Sequence, residues 1–137
     1  MGAVVSTEGT HIIVEASGCP RDVLSDPKRI EQIFKEAARL ANMTVKASYF
    51  FRFSPTGVSG AVIVAESHIS IHTWPEEGYA AIDVYTCGKS DPERAVDYIL
   101  KEMGAKHAHV SEIRRGIPEE EGTFTHTILT WEEVPGE

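Results

Sequence analysis

The sequence predicts an α+β fold: a two-layer α/β sandwich with a mostly antiparallel sheet and two helices on one face. Two observations lead to this prediction. Segments with the pattern of strands outnumber helical segments, and short turns join most of them. Only two strong helix-start signals occur, Asp26-Pro27 and Asp91-Pro92, where the aspartate can cap the helix and the proline can occupy its first turn.

Local patterns place each element along the chain. The first helix runs from Asp26 to about Asn42, and its apolar stripe is Ile30, Ile33, Phe34, Ala37 and Leu40. The second starts at Asp91 and ends near Gly104, with the apolar positions Ala95, Ile99 and Met103. Strands are predicted at 10–16, 44–53, 60–65, 69–74, 79–86, 108–113 and, at the sheet edge, 123–131. Turns are predicted at 17–20, 54–57 and 75–78, a polar loop at 117–122 and a frayed end at 134–137.

Length and charge restrict the classes of function. The 137 residues favour one domain, 1–137. Lys and Arg number 13 and Asp and Glu number 21, so the net charge of −8 disfavours a nucleic-acid partner. Residues 1–7 lack the pattern of a signal peptide, and no apolar run is long enough to span a membrane. We therefore expect a cytoplasmic protein without a membrane partner, in which Cys19 and Cys87 are reduced.

The pair Glu66-Ser67 ends an apolar run and is followed by His72 and Cys87. The Ser67 hydroxyl can attack the Glu66 carbonyl and convert the amide to an ester. A base then removes the Ser67 Cα proton, the ester is eliminated, and hydrolysis of the dehydroalanine leaves a pyruvoyl group and ammonia. Histidine is the natural base for such a step near neutral pH. The sequence therefore offers the parts of a self-cleaving site.

A metal site is the alternative use of the histidines in this stretch. His68 and His72 are four residues apart, which on a helix would suggest a pair of metal ligands. The flanking Ile69 and Ile71 favour a strand instead, where this spacing puts the two histidines on one face but roughly 13 Å apart. A zinc site that uses both histidines and Cys87 is therefore disfavoured, and no metal is expected.

Counting back from the turn at 75–78 places Cys87 near the Glu66-Ser67 bond. If Trp74 pairs with Tyr79, then Ser67 faces Thr86, and Cys87 follows directly. A thiol there can deliver a proton to a reaction intermediate.

Ser59 and His72 are predicted to lie far from Ser67 of the same chain. His72 is five residues along an extended strand from Ser67, roughly 16 Å away and on the opposite face of the sheet. Ser59 is eight residues before Ser67. A second subunit can supply both residues, which predicts a homodimer with shared sites.

The motifs of residues 53–88 resemble those of the small prokaryotic S-adenosylmethionine decarboxylases, and weaker similarity extends from Glu8-Gly9 to about Gly116. The matching motifs are Val58-Ser59-Gly60, Glu66-Ser67-His68, His72-Thr73-Trp74-Pro75-Glu76 and Tyr85-Thr86-Cys87-Gly88. The resemblance implies cleavage of a proenzyme into a beta chain, 1–66, and an alpha chain, 67–137. It also implies decarboxylation of S-adenosylmethionine to an aminopropyl donor for spermidine and other polyamines.

The resemblance also implies a role for each candidate residue. Ser67 becomes the pyruvoyl group that forms a Schiff base with the substrate, so neither pyridoxal phosphate nor a metal is required. His72 and Ser59 assist processing, with His72 as the base, and Cys87 is the proton donor in decarboxylation. Two further residues bind substrate: Phe53 stacks on adenine, and Glu76 holds the ribose hydroxyls.

Two other functions remain open from the sequence, and two features depart from the family pattern. The same pyruvoyl chemistry can serve an arginine decarboxylase, and a non-enzymatic binding domain would keep the Glu66-Ser67 bond intact. Thr7 stands where longer relatives have an aromatic residue that provides a second face for adenine. The tail at 123–137 has no counterpart in the family pattern.

Overall fold

Seven strands and three helices make up the described part of the chain, which comprises residues 6–53, 55–65 and 67–135 of the computed structural model. The strands are β1 (Gly9–Ser17), β2 (Val45–Phe53), β3 (Gly57–Val64), β4 (Ser67–Trp74), β5 (Tyr79–Thr86), β6 (His107–Pro118) and β7 (Phe124–Glu133). The helices are α1 (Arg21–Leu24), α2 (Pro27–Leu40) and α3 (Pro92–Glu102). Short 3-10 turns span Pro75–Glu77 and Glu120–Gly122. None of the described helices is both long and apolar enough to cross a membrane.

The strands form one sheet in the order β2-β3-β4-β5-β1-β6-β7, and every neighbouring pair is antiparallel. Helix α2 packs against β2 and β3, and α3 packs against β1 and β5. This arrangement confirms the predicted α+β sandwich. The single-turn helix α1 is an addition that the sequence patterns did not predict.

Both predicted helix-start signals are used. The Asp26 carboxylate accepts a hydrogen bond from the backbone N–H of Arg29, and that of Asp91 accepts one from Arg94, each at 3.2 Å. Each cap satisfies an N–H group that lacks a partner within its helix. The apolar stripes then face the sheet, with α2 burying Ile30, Ile33, Phe34, Ala37 and Ala38 and α3 burying Ala95, Val96, Ile99 and Leu100.

The sheet has one face under the helices and one face without them. Along β4 and β5 every second side chain is buried beneath the helices, and the core of the sheet includes Ile12, Val14, Val62, Ile69, Ile71, Ile82 and Val84. The residues between them point the other way, as alternation along a strand requires. We call this second surface the open face; it carries His11, Ser59, His68, His72, Asp83 and Tyr85.

The pairing of β4 with β5 and with β3 sets the positions of the candidate site residues. Trp74 pairs with Tyr79 and His68 with Tyr85, as predicted, and Gly78 adopts a left-handed conformation with φ 65° in the turn. On the other side of β4, Val64 pairs with Ser67. The chain therefore passes from β3 into β4 with only two residues between the paired positions.

Several strands are longer than predicted, and β3, β4 and β6 differ in ways that bear on the site or the sheet edge. β3 begins at Gly57 because this residue pairs with Phe53, whose ring occupies the space of a side chain there; a Cβ on Gly57 would lie 2.2 Å from the Phe53 Cζ. β4 begins at Ser67, not at residue 69. β6 continues to Pro118, because a bulge between Arg114 and Ile117 lets it keep pairing with β7. Ser54, part of the turn predicted at 54–57, lies outside the described residues.

The tail forms the edge strand that was predicted, β7. Trp131 is half-buried and packs against the core, whereas Ile128 and Leu129 are exposed. Of the predicted frayed end, residues 136–137 lie outside the described residues.

Candidate active site

Ser67 and Cys87 line one small pocket at an end of the sheet, here called the Ser67 pocket. Its volume is about 190 Å³. The ends of β3, β4 and β5 meet there with the segments that follow α2 and precede α3, which contribute Asn42, Thr44 and Ser90. Ser67 is 8% exposed and Cys87 is half-buried. Counting residues back from the turn between β4 and β5 thus correctly placed the Cys87 thiol near Ser67. Glu66, on the other side of the predicted cleavage bond, lies outside the described residues.

A chain of hydroxyl groups holds the Ser67 side chain. Its Oγ donates a hydrogen bond to Oγ1 of Thr86 at 3.2 Å. The Thr86 hydroxyl in turn donates to the backbone carbonyl of Cys87 at 3.3 Å. Thr86 is only 3% exposed, so little water competes for these bonds. The Ser67 hydroxyl therefore has a defined orientation.

Ser59 and His72 form a separate pair on the open face. Their Cα atoms are partners across β3 and β4, and Ser59 Oγ lies 2.8 Å from His72 Nδ1. Ser67 is buried on the helix-covered face of the same strand, five residues away, which corresponds to roughly 16 Å along an extended chain. A single chain therefore brings Ser59 and His72 to each other but not to its own Ser67.

Phe53 and Glu76 lie at the end of the sheet opposite Ser67. β4 starts with Ser67 and ends with Trp74, whose ring centroid is 6.5 Å from that of Phe53. Glu76 follows in the next turn, and its Oε2 accepts a hydrogen bond from the Thr56 hydroxyl at 3.1 Å. The two predicted substrate-binding residues are close to the Ser59–His72 end of the open face and remote from the Ser67 pocket.

A network of charged and aromatic groups crosses the open face beside His68. Asp83 Oδ1 lies 2.8 Å from His11 Nε2, and a guanidinium nitrogen of Arg115 lies 3.2 Å from His11 Nδ1. Since arginine only donates, Nδ1 is the acceptor toward Arg115, and Nε2 is the nitrogen that donates to Asp83. Arg115 also lies over the Tyr85 ring, 5.0 Å from its centroid.

This network shifts two acid–base equilibria. The hydrogen bond from His11 lowers the pKa of the Asp83 carboxyl, outweighing partial burial. Partial burial, which disfavours the charged form, lowers the pKa of His68. His68, the residue directly after Ser67, is therefore a neutral imidazole at neutral pH.

The open face also exposes a large apolar area. Tyr49, Phe51 and Ile63 are 71%, 43% and 46% exposed. With Ser59 and His72 they line a shallow cavity of about 490 Å³. Exposed apolar areas of this kind mark surfaces that bind a partner or a ligand.

The cysteines and histidines do not converge in the described residues. Cys19 is buried, and burial raises its pKa to about 11, so it is a neutral thiol. Cys19 and Cys87 are not joined by a disulfide. Across residues 6–53, 55–65 and 67–135, no three His, Cys, Asp or Glu side chains lie close enough together to hold a metal ion.

Sequence reasoning missed two features of this region. The hydrogen bond between Ser59 and His72 was not predicted, although counting back from a tight connection between β3 and β4 would have paired them. The His11–Asp83–Arg115 network had no local signal, because its members come from three strands that are distant in sequence.

A comparison with protein families identifies the chain. The family model described as S-adenosylmethionine decarboxylase matches residues 10–116. The chain belongs to the S-adenosylmethionine decarboxylase family. The resemblance inferred from the motifs is thereby confirmed, and the match includes β1 to β5 and most of β6.

Individual members of the family agree with this result. An S-adenosylmethionine decarboxylase proenzyme of Pyrococcus furiosus is 69% identical over 130 residues, 94% of each chain. One of Carboxydothermus hydrogenoformans is 50% identical over 114 residues, 82% of this chain and 90% of the relative. The crystal structure of the adenosylmethionine decarboxylase from Aquifex aeolicus superposes with a TM-score of 0.76 at 39% identity, covering 87% of this chain and 99% of that one.

Replacing Asp83 by Asn tests the network through the pH dependence of stability. The pKa of Asp83 is lower in the folded than in the unfolded protein, so its stabilisation is complete above the unfolded value, about 3.9. It is lost as the pH falls through the folded value. We expect Asp83→Asn to unfold at a lower temperature than the parent chain at pH 7, and this difference to shrink below about pH 4.

Asp97→Asn is the matched control, measured by the same thermal melts. Burial and the nearby Glu133 raise the pKa of Asp97, so its charge opposes folding and its removal should not destabilise the protein at pH 7. Equal destabilisation by both substitutions at every pH would contradict the assigned network.

Proposed function

We propose that this chain is a pyruvoyl-dependent S-adenosylmethionine decarboxylase, made as a proenzyme that cleaves itself between Glu66 and Ser67. The observation that carries the proposal is the placement of Ser67 and Cys87 in one pocket, in a member of this family. Relatives that cover most of the chain are named as proenzymes, which supports maturation by cleavage.

Processing begins with an acyl shift at Ser67. The Ser67 Oγ forms a bond to the Glu66 carbonyl carbon, the C–N bond breaks, and the proton of the hydroxyl passes to the amide nitrogen. A base then removes the Ser67 Cα proton as the Glu66 carboxylate leaves. The remaining dehydroalanine tautomerises and takes up water, which gives a keto group and ammonia. The products are fragments 1–66 and 67–137.

The Ser67 pocket fits the group that this reaction leaves. A pyruvoyl group is no larger than the serine it replaces, and the pocket offers about 190 Å³ beside it. The group would supply a keto carbonyl for condensation with the substrate amine, and the amide carbonyl next to it would accept electrons as carbon dioxide departs. Cys87 lines the same pocket and is the residue placed to donate a proton to the substrate carbon afterwards. The product would be the aminopropyl donor for polyamine synthesis.

The remaining site residues come from a second copy of the chain in this proposal. Ser59 and His72 lie toward the end of the open face away from Ser67, and Phe53 and Glu76 lie at that end. If two copies pack through their open faces about a two-fold axis perpendicular to the strands, the strands of the two copies run in opposite directions. Each Ser67 end would then lie over the partner's Phe53 end.

The exposed side chains of the open face support this dimer. Burial of Tyr49, Phe51 and Ile63 against a partner would contribute about 25 cal/mol for each Å² of apolar surface removed from water. Two polar pairs on the same face are already made, since Asp83 accepts from His11 and Ser59 bonds to His72. Their desolvation on dimer formation is therefore less costly than for unpaired groups.

Ser67→Ala tests the processing step. The variant lacks the attacking oxygen, so we expect an intact chain that releases no carbon dioxide from S-adenosylmethionine, whereas the parent chain yields fragments 1–66 and 67–137. Intact mass and denaturing gels report the cleavage. A parent chain that stays whole, or a Ser67→Ala chain that still splits at this bond, would contradict the proposal.

Cys87→Ala separates maturation from decarboxylation. Because the thiol acts after the cofactor has formed, we expect normal cleavage and a loss of about 10²–10⁴-fold in decarboxylation, the usual cost of removing a general acid. Release of labelled carbon dioxide from S-adenosylmethionine and, in parallel, from arginine measures the activity and its specificity. Cys19→Ala, at a buried thiol remote from Ser67 in the fold, is the matched control. Full activity of Cys87→Ala would remove Cys87 from this role, and release from arginine alone would change the substrate.

A further inference from the structure

We infer that Thr86 is a positioning residue for self-cleavage, which holds the Ser67 hydroxyl in the orientation that the acyl shift requires. This inference rests on the proposed function and adds a residue to it. Thr86 is one of three polar residues, with Ser67 and Thr73, that are buried in the described part of the chain. Its hydroxyl is the group that contacts Ser67 Oγ, at 3.2 Å.

The direction of the hydrogen bonds defines what Thr86 can do. Its own proton is donated to the backbone carbonyl of Cys87 at 3.3 Å, so its oxygen faces Ser67 as an acceptor. The Ser67 proton is therefore directed toward Thr86, and the lone pairs of Ser67 Oγ are directed elsewhere. A serine without this partner would sample three side-chain rotamers, and only a fraction of them would bring Oγ toward the preceding carbonyl.

The backbone makes this arrangement rigid. Thr86 is the last residue of β5, and the β4–β5 register runs from Trp74–Tyr79 to His68–Tyr85, so Thr86 follows in line opposite Ser67. As a β-branched residue, threonine has few rotamers, and burial removes the alternatives. The acceptor is thus fixed by strand pairing as well as by its own side chain.

The role of Thr86 ends when the ester has formed. The acyl shift consumes the Ser67 hydroxyl, and the later elimination depends on a base that removes the Cα proton. Loss of the Thr86 hydroxyl should therefore stop processing before the ester, whereas loss of His72, the proposed base, should stop it after the ester. These two arrests differ chemically, because hydroxylamine attacks esters much faster than amides.

Four variants at Thr86 and His72 test the inference. Thr86→Val keeps the shape of the side chain and removes the hydroxyl. Thr86→Ala and Thr86→Ser both remove the methyl group, but only the serine keeps the hydroxyl, so this pair remains informative if the valine variant does not fold. His72→Ala serves as the reference for an arrest at the ester. Each purified chain is melted to establish that it is folded, and the rate of cleavage is followed by intact mass, with and without hydroxylamine.

We expect cleavage of Thr86→Val and Thr86→Ala to be about 10²-fold slower than in the parent chain, the scale of loss when a reacting group is misplaced. Hydroxylamine should not rescue these two variants, but it should cleave His72→Ala at the Glu66-Ser67 bond. Thr86→Ser should restore most of the rate. Cleavage of folded Thr86→Val or Thr86→Ala at the parental rate, or their rapid cleavage by hydroxylamine, would overturn the inference. If the parent chain itself stays whole, the proposed function fails instead.

Discussion

The pairing of β4 with its two neighbours is the constraint on which the rest of the site depends. Toward β3, the register that pairs Val64 with Ser67 also pairs Ser59 with His72. Toward β5, the register that pairs His68 with Tyr85 brings Ser67 to Thr86 and places Cys87 just beyond. A one-residue shift of β4 against both neighbours would move every side chain of β4 to the opposite face and separate all these pairs.

The alternation of side chains along β4 also divides the candidate site residues between the two faces of the sheet. Ser67 is buried on the helix-covered face with Ile69 and Ile71, whereas His72 stands on the open face. The same strand thus carries the proposed nucleophile and the proposed base but holds them apart. In the proposed dimer a second copy of the chain bridges this separation, and the exposed aromatic side chains of the open face offer a surface for it. In this account the dimer completes the site. A second chain is needed because side chains alternate between the two faces along β4, which keeps Ser67 and His72 of one chain apart.

The sequence was sufficient for the features that depend on local patterns. The caps of Asp26 and Asp91, the register of the β4–β5 hairpin and the proximity of Cys87 to Ser67 follow from short-range spacing, and each is present. The His11–Asp83–Arg115 network could not be predicted, because it joins β1, β5 and β6 across the sheet.

The prediction for β6 was too short, because the extent of this strand depends on its pairing with β7. β6 was expected to end at Ile113, but pairing with β7 extends it to Pro118. The bulge at this point has no local sequence signature strong enough to predict, since it depends on the partner strand. β7 also lies beyond residues 10–116, the part of the chain that the family model matches.

Co-expression of Ser67→Ala with His72→Ala, on chains that differ in mass, tests most directly whether two chains share each site. A mixed dimer would contain one site with an intact Ser67 from the His72→Ala chain and an intact His72 from the Ser67→Ala chain. We therefore expect mass spectrometry to find fragments 1–66 and 67–137 of the His72→Ala chain alone, with partial recovery of decarboxylation. If mixed dimers form and neither chain is cleaved, each site is built within one chain, and the account of a shared site is wrong.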